Sequence, residues 1–307
     1  MRLALHPRIA PAALAALLAC THAMAAPAVP EPVWETDGFS GPESVVFDRA
    51  RERFYVSNMG SWGEGATPGD GFISLLDADG KVLERRWITG LENPKGLALA
   101  NGRLYVGDDD ALVEIDAGTA RIVARHRPDD GHGGFNDCTA DAEGNVYVFS
   151  RRLDTVFRLS DGRFEPWAKV DTGITGKPNG LRAEAGRLLM GSWVVPGTDG
   201  GEDRLGHLST VDFADRSVGR IGTVPIGHID GIEPDGRGGY TITDWTRGEL
   251  LRVSAEGEAT PLLTLTKGAA DHLYLVDEQL LVIPQLLDDV VRAYRWAPPA
   301  AAASAEE

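Results

Sequence analysis

Six times along the chain a polar residue stands just ahead of a short hydrophobic stretch. The six copies can be laid over one another: PESVVFD from Pro42, PKGLALA from Pro94, FNDCTAD from Phe135, PNGLRAE from Pro178, IDGIEPD from Ile229 and ADHLYLV from Ala270. The polar positions are Glu43, Lys95, Asn136, Asn179, Asp230 and Asp271, with steps of 52, 41, 43, 51 and 41 residues between them. Soon after each comes a second strand-like run: FYVSN, LYVGD, VYVFS, LLMGS, YTITD and LLVIP. A period of this length with several short strands per unit predicts an all-β, six-bladed β-propeller, because a lone four-stranded sheet cannot bury both of its faces until neighbours stack on it. Abundant glycine, 37 residues in all, and many DG, NG and GG turn pairs agree with short strands and tight turns.

Closure of such a ring gives the repeat a chemical meaning. Residues at the same entry point of every inner strand face one axis, so six side chains distant in sequence meet. Here they are three carboxylates (Glu43, Asp230, Asp271), two carboxamides (Asn136, Asn179) and one ammonium (Lys95). Hard oxygen donors suit Ca2+, Mg2+ or Mn2+ better than Zn2+, which prefers His and Cys. Three negative charges and one positive charge also leave two for a divalent ion to neutralise. The alternative reading is plainer: the column wets and ties the blade entrances, since turn positions favour Asp and Asn in any case.

The segments PESVVFD, FNDCTAD, PNGL and IDGIEPDG resemble those of the senescence marker protein, gluconolactonase and regucalcin family of six-bladed propellers, and more distantly paraoxonases and strictosidine synthase. The resemblance runs from about Glu31 to Trp296. It implies a divalent metal held by Glu43, Asn179 and Asp230, with Asn136 touching substrate or completing the metal's ligands. Lys95 departs from the pattern, because a cation there competes with a metal; pairing with Asp271 would remove the conflict. His228 and His272 lie beside column positions and are candidates for substrate contact at the channel mouth, although a lone His is more often structural.

Metal-dependent hydrolysis of a lactone or related ester is the function that follows from the resemblance. Asp230 would accept the proton of the attacking water, with Asp137 and Asp271 in reserve, and Lys95 would stabilise the oxyanion or protonate the leaving alkoxide. Two other classes stay open: a binding or scaffold disc with a structural Ca2+, and a metal-free condensing enzyme of the strictosidine-synthase kind.

The remaining sequence sets boundaries. Arg2 and Arg8, the apolar run Ile9 to Ala19 and the small residues of Ala23-Met24-Ala25 read as a secretory signal over residues 1–25, too short to span a bilayer. Leu17-Leu18-Ala19-Cys20 loosely resembles a lipoprotein signal, which is the minor alternative. Removal of the leader leaves Cys138 alone, at a position equivalent to Val45 and Leu97, so a packed core thiol is expected. Residues 31–297 form one propeller, Pro32 to Thr36 supplies the outer strand of the last blade, and 298–307 is a disordered tail. The expected partner is a small-molecule substrate: a formal charge of -16 without a Lys/Arg cluster argues against nucleic acid and makes a cation or a neutral to cationic ligand easier to accept. The Asp108-Asp109-Asp110 run and the insertions Asn58 to Gly71 and Trp193 to Gly206 are expected on the face away from the polar ring. Trp193 and Trp245 are expected to pack between sheets, with a stacking platform for a sugar as the second choice.

Overall fold

The computed structural model describes residues 29–197 and 201–299. The proposed leader (residues 1–25) and residues 300–307 of the proposed tail lie outside the described residues.

Six antiparallel sheets follow one another along the chain. Blade one is Pro42–Asp48, Arg53–Asn58, Gly71–Asp77 and Val82–Leu91, and blade two is Pro94–Ala100, Arg103–Asp108, Ala111–Asp116 and Arg121–His126. Blade three runs from Phe135–Ala140 to Arg163–Lys169, blade four from Lys177–Glu184 to Val218–Ile221, and blade five from Ile229–Pro234 to Ala259–Thr264. Blade six has only three consecutive strands, Leu273–Leu275, Leu280–Gln285 and Val290–Arg295. Its fourth place is filled by Glu31–Thr36, paired antiparallel to Val290–Arg295, as the sequence led us to expect. Borrowing the strand from the other end of the repeat joins the ring without leaving that sheet's edge bare.

Alternation within the strands explains the stacking. The first strand of each blade touches the first strand of the next, and the sixth touches the first. Between each pair of blades lies its own apolar cluster, for example Tyr55, Ile73, Leu97, Leu104 and Val106 between blades one and two. The anchor positions Val45, Leu97, Cys138, Leu181, Ile232 and Leu273 are all buried. Cys138 is therefore a packed core thiol, its Sγ donating to the Gly96 carbonyl at 3.1 Å.

Much of the surplus acid is spent on turns. Asp48, Asp77, Asp116, Asp141, Asp212 and Asp235 each accept a backbone N–H two to four residues ahead, which fixes the hairpin that follows. No helix among the described residues is long and apolar enough to cross a membrane.

Candidate functional site

The site begins with a repeated irregularity in strand pairing. In blades one to five the first strand bulges three residues before its anchor: pairing skips from Pro42 to Val45, Pro94 to Leu97, Phe135 to Cys138 and Ile229 to Ile232, and is likewise broken after Pro178. A bulge re-aims the residue inside it. The residues so placed are Glu43, Lys95, Asn136, Asn179 and Asp230, and all five line one cavity of about 240 Å³.

Blade six breaks the pattern. Its topmost pair is Ala269 with Gln285, four residues before the anchor Leu273 instead of three. The extra residue puts Ala270 in the ring position and carries Asp271 one step down the channel. There Asp271 accepts a hydrogen bond from Ser44 Oγ at 2.6 Å and lines a different cavity, of about 340 Å³, with Arg182, Glu233 and His272. Residues further along the inner strands, Phe47, Leu99 and Ala140, line the same space, so it opens at the opposite end of the axis. The expected polar ring of six thus has five polar members, and Lys95 does not pair with Asp271; its Nζ donates to the Asn93 carbonyl at 3.3 Å.

The second strands correct another expectation. Each runs antiparallel to the first and returns the chain to the end it started from: Pro42 pairs with Asn58, Pro94 with Asp108, Phe135 with Ser150, Pro178 with Ser192 and Ile229 with Asp244. The segments after these strands therefore lie over the polar ring, not on the far face. Met59, Trp62, Arg151, Trp193, Trp245 and Leu286 line the cavity together with the five polar residues. Trp193 and Trp245 pack on each other at 5.6 Å between ring centroids, on the cavity wall and not between sheets. Their common position, one residue after Ser192 and Asp244, the partners of Pro178 and Ile229, was visible in the spacing; only the direction of the strand was misassigned.

The second-strand residues that pair at the level of the bulges form the support. Asn58, Asp108, Ser150, Ser192, Asp244 and Gln285 are all buried. Asp108 accepts from the amides of Glu92 at 2.9 Å and Asn93 at 2.7 Å, fixing the approach to Lys95. Asn58 Oδ1 takes the Ser40 amide at 3.1 Å and Asp244 Oδ2 the His228 amide at 3.3 Å, which do the same for Glu43 and Asp230. Two glycines bring the neighbouring blades close: a Cβ on Gly180 would collide with the Asp230 carbonyl oxygen, and one on Gly107 with that of Asn136.

Electrostatically the cavity is crowded. Burial, followed by the nearby charges of Asp230 and Asp271, holds the Glu43 carboxyl well above its usual range, with Lys95 and Arg151 pulling the other way. Asp230 is raised by burial and by Asp271, against Arg151 and Asn179. Burial lowers Lys95, opposed by Glu43, Asp109 and Asp108. Asn136 Nδ2 donates to Asn179 Oδ1, which leaves Asn136 Oδ1 without a partner. Glu43 Oε2 and Asp230 Oδ1 are also buried without partners. Among the described residues no group of three His, Cys, Asp or Glu side chains is arranged to hold a metal. The oxygens available here come from two carboxylates and two carboxamides.

The other proposed residues fall elsewhere. Asp137 lies beneath the ring and lines neither cavity; its Oδ2 accepts the Leu181 amide at 3.3 Å, and burial with three neighbouring carboxylates raises it strongly. His228 packs its ring on Trp193 at 5.5 Å, behind the cavity wall. His272 is buried at the other end, 2.8 Å from Thr241 Oγ1, and burial depresses it to about 3, so it is neutral.

No protein family profile and no curated protein matches the chain by sequence. Solved structures match it by shape. A gluconolactonase from Xanthomonas campestris superposes with a TM-score of 0.62 at 16% identity, covering 89% of this chain and 95% of that one. A calcium-binding regucalcin from Agrobacterium tumefaciens gives 0.64 at 14%, with the same coverage. Virginiamycin B lyase from Staphylococcus aureus gives 0.60 at 10%, covering 85% and 98%. The shared feature is the six-bladed propeller. Two of these neighbours carry the names that the sequence motifs pointed to, and the lyase shows the same fold in another reaction class.

Proposed function

We propose that the chain is an exported hydrolase of a lactone or related carboxylic ester, dependent on a divalent metal held in the Glu43 cavity. One observation carries the reading. Three buried oxygens from blades one, three and five, Glu43 Oε2, Asn136 Oδ1 and Asp230 Oδ1, line a single cavity without partners, although Lys95 and Arg151 line it too. Native structures rarely leave buried oxygens unsatisfied, and a hard cation is the partner that carboxylate and carboxamide oxygens suit. Glu43, Asn136, Asn179 and Asp230 are the residues that would hold it. Ca2+ is the first choice, Mg2+ and Mn2+ are compatible, and Zn2+ is disfavoured by the lack of imidazole or thiolate.

A bound divalent ion supplies polarisation of the ester carbonyl. Asp230 is the group on this wall that can take the proton as water adds to the carbonyl carbon. Lys95, whose Nζ donates to the Asn93 carbonyl and makes no direct ion pair among the described residues, stabilises the developing oxyanion and returns a proton to the alkoxide when the C–O bond breaks. Asn136 and Asn179 orient without titrating. Asp271, hydrogen-bonded from Ser44 and facing the other cavity, drops out of the set of bases. Asp137 is enclosed below the ring, so its influence is electrostatic. Export rests on the leader read in the sequence.

Metal content and lactone hydrolysis of the purified protein, beside Asn179→Ala and Asp230→Ala, test the proposal. Activity that a chelator abolishes and both substitutions cut by about a hundredfold supports it. Activity untouched by all three overturns the metal mechanism, and a stabilising ion without hydrolysis identifies a binding disc instead.

A further inference from the structure

We infer that the ligand of this cavity is an amphiphilic anion: a lactone or ester bearing a carboxylate on an apolar, preferably planar, body, in place of a polyhydroxylated sugar lactone. The ester bond in that statement rests on the hydrolase reading; the carboxylate and the apolar body do not.

The residues next after Asn58, Asp108, Ser150, Ser192, Asp244 and Gln285, which pair at the level of the bulges, make a second ring above the first. They are Met59, Asp109, Arg151, Trp193, Trp245 and Leu286, and five of them, all but Asp109, line the cavity. This ring is divided. Blades four, five, six and one contribute Trp193, Trp245, Leu286 and Met59, with Trp62 beside them, as one continuous apolar arc. Met59 and Leu286 are buried in a cluster with Ala270, against Trp245, so the arc is a packed wall. Blades two and three contribute Lys95 and Arg151. A polyol would meet few hydrogen-bonding groups along the arc, whereas an apolar body gains by leaving water there. Trp193 and Trp245 also offer aromatic surface on which a flat guest can pack.

The charge count points the same way. With Asp271 outside the cavity and Arg151 inside it, the walls carry two carboxylates and two cations, Glu43 and Asp230 against Lys95 and Arg151. Counting the lining side chains alone, the formal balance is neutral, so a divalent ion adds positive charge that Asp137 and Asp271 below the ring oppose, a task that a carboxylate ligand would share and a neutral one would not. Arg151 is exposed, and its guanidinium has no hydrogen-bond or ion-pair partner among the described residues, so its donor fork is free for a carboxylate. Lys95 is less free, with Glu43, Asp108 and Asp109 all acting on it. Arg151 is accordingly the anion receptor.

Calorimetric titration of the metal-free and Ca2+-loaded protein with 4-phenylbutyrate, 4-phenylbutyramide and gluconate tests this. The expected result is that the acid binds about tenfold more tightly than its amide and more tightly than gluconate, with a larger preference after loading. Arg151→Gln should remove the acid's advantage and leave the amide within about twofold, while Trp245→Ala should weaken acid and amide alike. Trp245→Phe serves if the alanine variant does not fold. Equal binding of acid and amide, a preference for gluconate, or an unchanged acid preference in Arg151→Gln each overturns the inference. Acid binding without hydrolysis of any lactone would sink the hydrolase reading and leave this one standing; hydrolysis of gluconolactone by a protein that ignores phenylbutyrate would do the reverse.

Discussion

Ser44 Oγ donates to Asp271 Oδ2 at 2.6 Å, and the Asp271 amide donates to the Glu43 carbonyl at 2.9 Å. Blades one and six are thereby tied one step below the ring, and Asp271 is turned from the cavity it was expected to join. The tie continues around the axis: the Leu97 amide donates to Ser44 Oγ at 3.3 Å, the Leu181 amide to Asp137 Oδ2 at 3.3 Å and the Ala183 amide to Thr139 Oγ1 at 3.0 Å. Inner strands of neighbouring blades belong to different sheets, so side chains supply hydrogen bonds that a ladder would otherwise make. The carboxylates buried for this purpose also repel those of the ring above.

Neutralising Glu43 should therefore separate stability from metal binding. In chelator, Glu43→Gln should melt about 2–4 °C above the wild type, because one buried, repelled carboxylate is gone. With millimolar Ca2+ the order should invert, since only the wild type gains from the ion. Thermal melts of both proteins under both conditions check this, and a variant still raised by Ca2+ would remove Glu43 from the metal's ligands.

Two glycines of blade four should respond differently to alanine. At Gly180 the new methyl would run into the Asp230 carbonyl, forcing the neighbouring blade outward at a cost of about 1–3 kcal/mol and displacing Asp230. Gly186 sits at φ +82 with nothing within 4 Å, so its loss is the backbone preference alone, about 1 kcal/mol. Denaturant unfolding measures both costs. The Ca2+-induced rise in melting temperature should survive in Gly186→Ala and vanish in Gly180→Ala.

The opposite end of the axis should govern how stability falls between about pH 5 and pH 8. Burial pushes the Glu233 carboxyl from 4.5 up to about 8, even with Arg182 at 3.2 Å. Between those values the folded protein keeps a proton that the unfolded chain gives up. Stability contributed by this group is thus complete below about pH 4.5 and is lost as the pH rises through about 8. Glu233→Gln cannot ionise, so its melting temperature should fall less steeply between about pH 5 and pH 8.5. Curves that run parallel for the two proteins would show that Glu233 does not hold this proton.

Ring closure should depend on one aromatic contact. Trp34, on the borrowed strand, packs edge-on to Phe54 at 5.9 Å and covers Gly80, whose φ is +80. Trp34→Ala is expected to cost about 3 kcal/mol, while Val33→Ala, at a side chain 43% exposed on the same strand, should cost under about 0.5 kcal/mol. Equilibrium unfolding in urea compares them directly.

The repeat made the blade count, the borrowed strand and the anchor column legible, because burial imposes a spacing that survives divergent side chains. What it did not reveal was register at the level of one residue. The extra residue of blade six looks like any other in sequence, yet it exchanges Asp271 for Ala270 in the ring. Arg151 escaped notice for a related reason: its position is defined by the direction of a returning strand, and a hydrophobic run such as VYVFS reads the same in both directions. Asn136 and Asn179 were found because they share the repeat's column and lie in the FNDCTAD and PNGL segments, whereas the aromatic wall had to await the path of the loops over the mouth.

The pairing of Glu31–Thr36 with Val290–Arg295 joins the earliest and the latest of the described strands. A ribosome delivers the first partner long before the second, so throughout synthesis a row of finished sheets waits beside an unsatisfied backbone edge. Nascent chains halted short of Val290 should consequently be the species most prone to aggregate, and arrival of the last six residues of that strand converts an open arc into a disc.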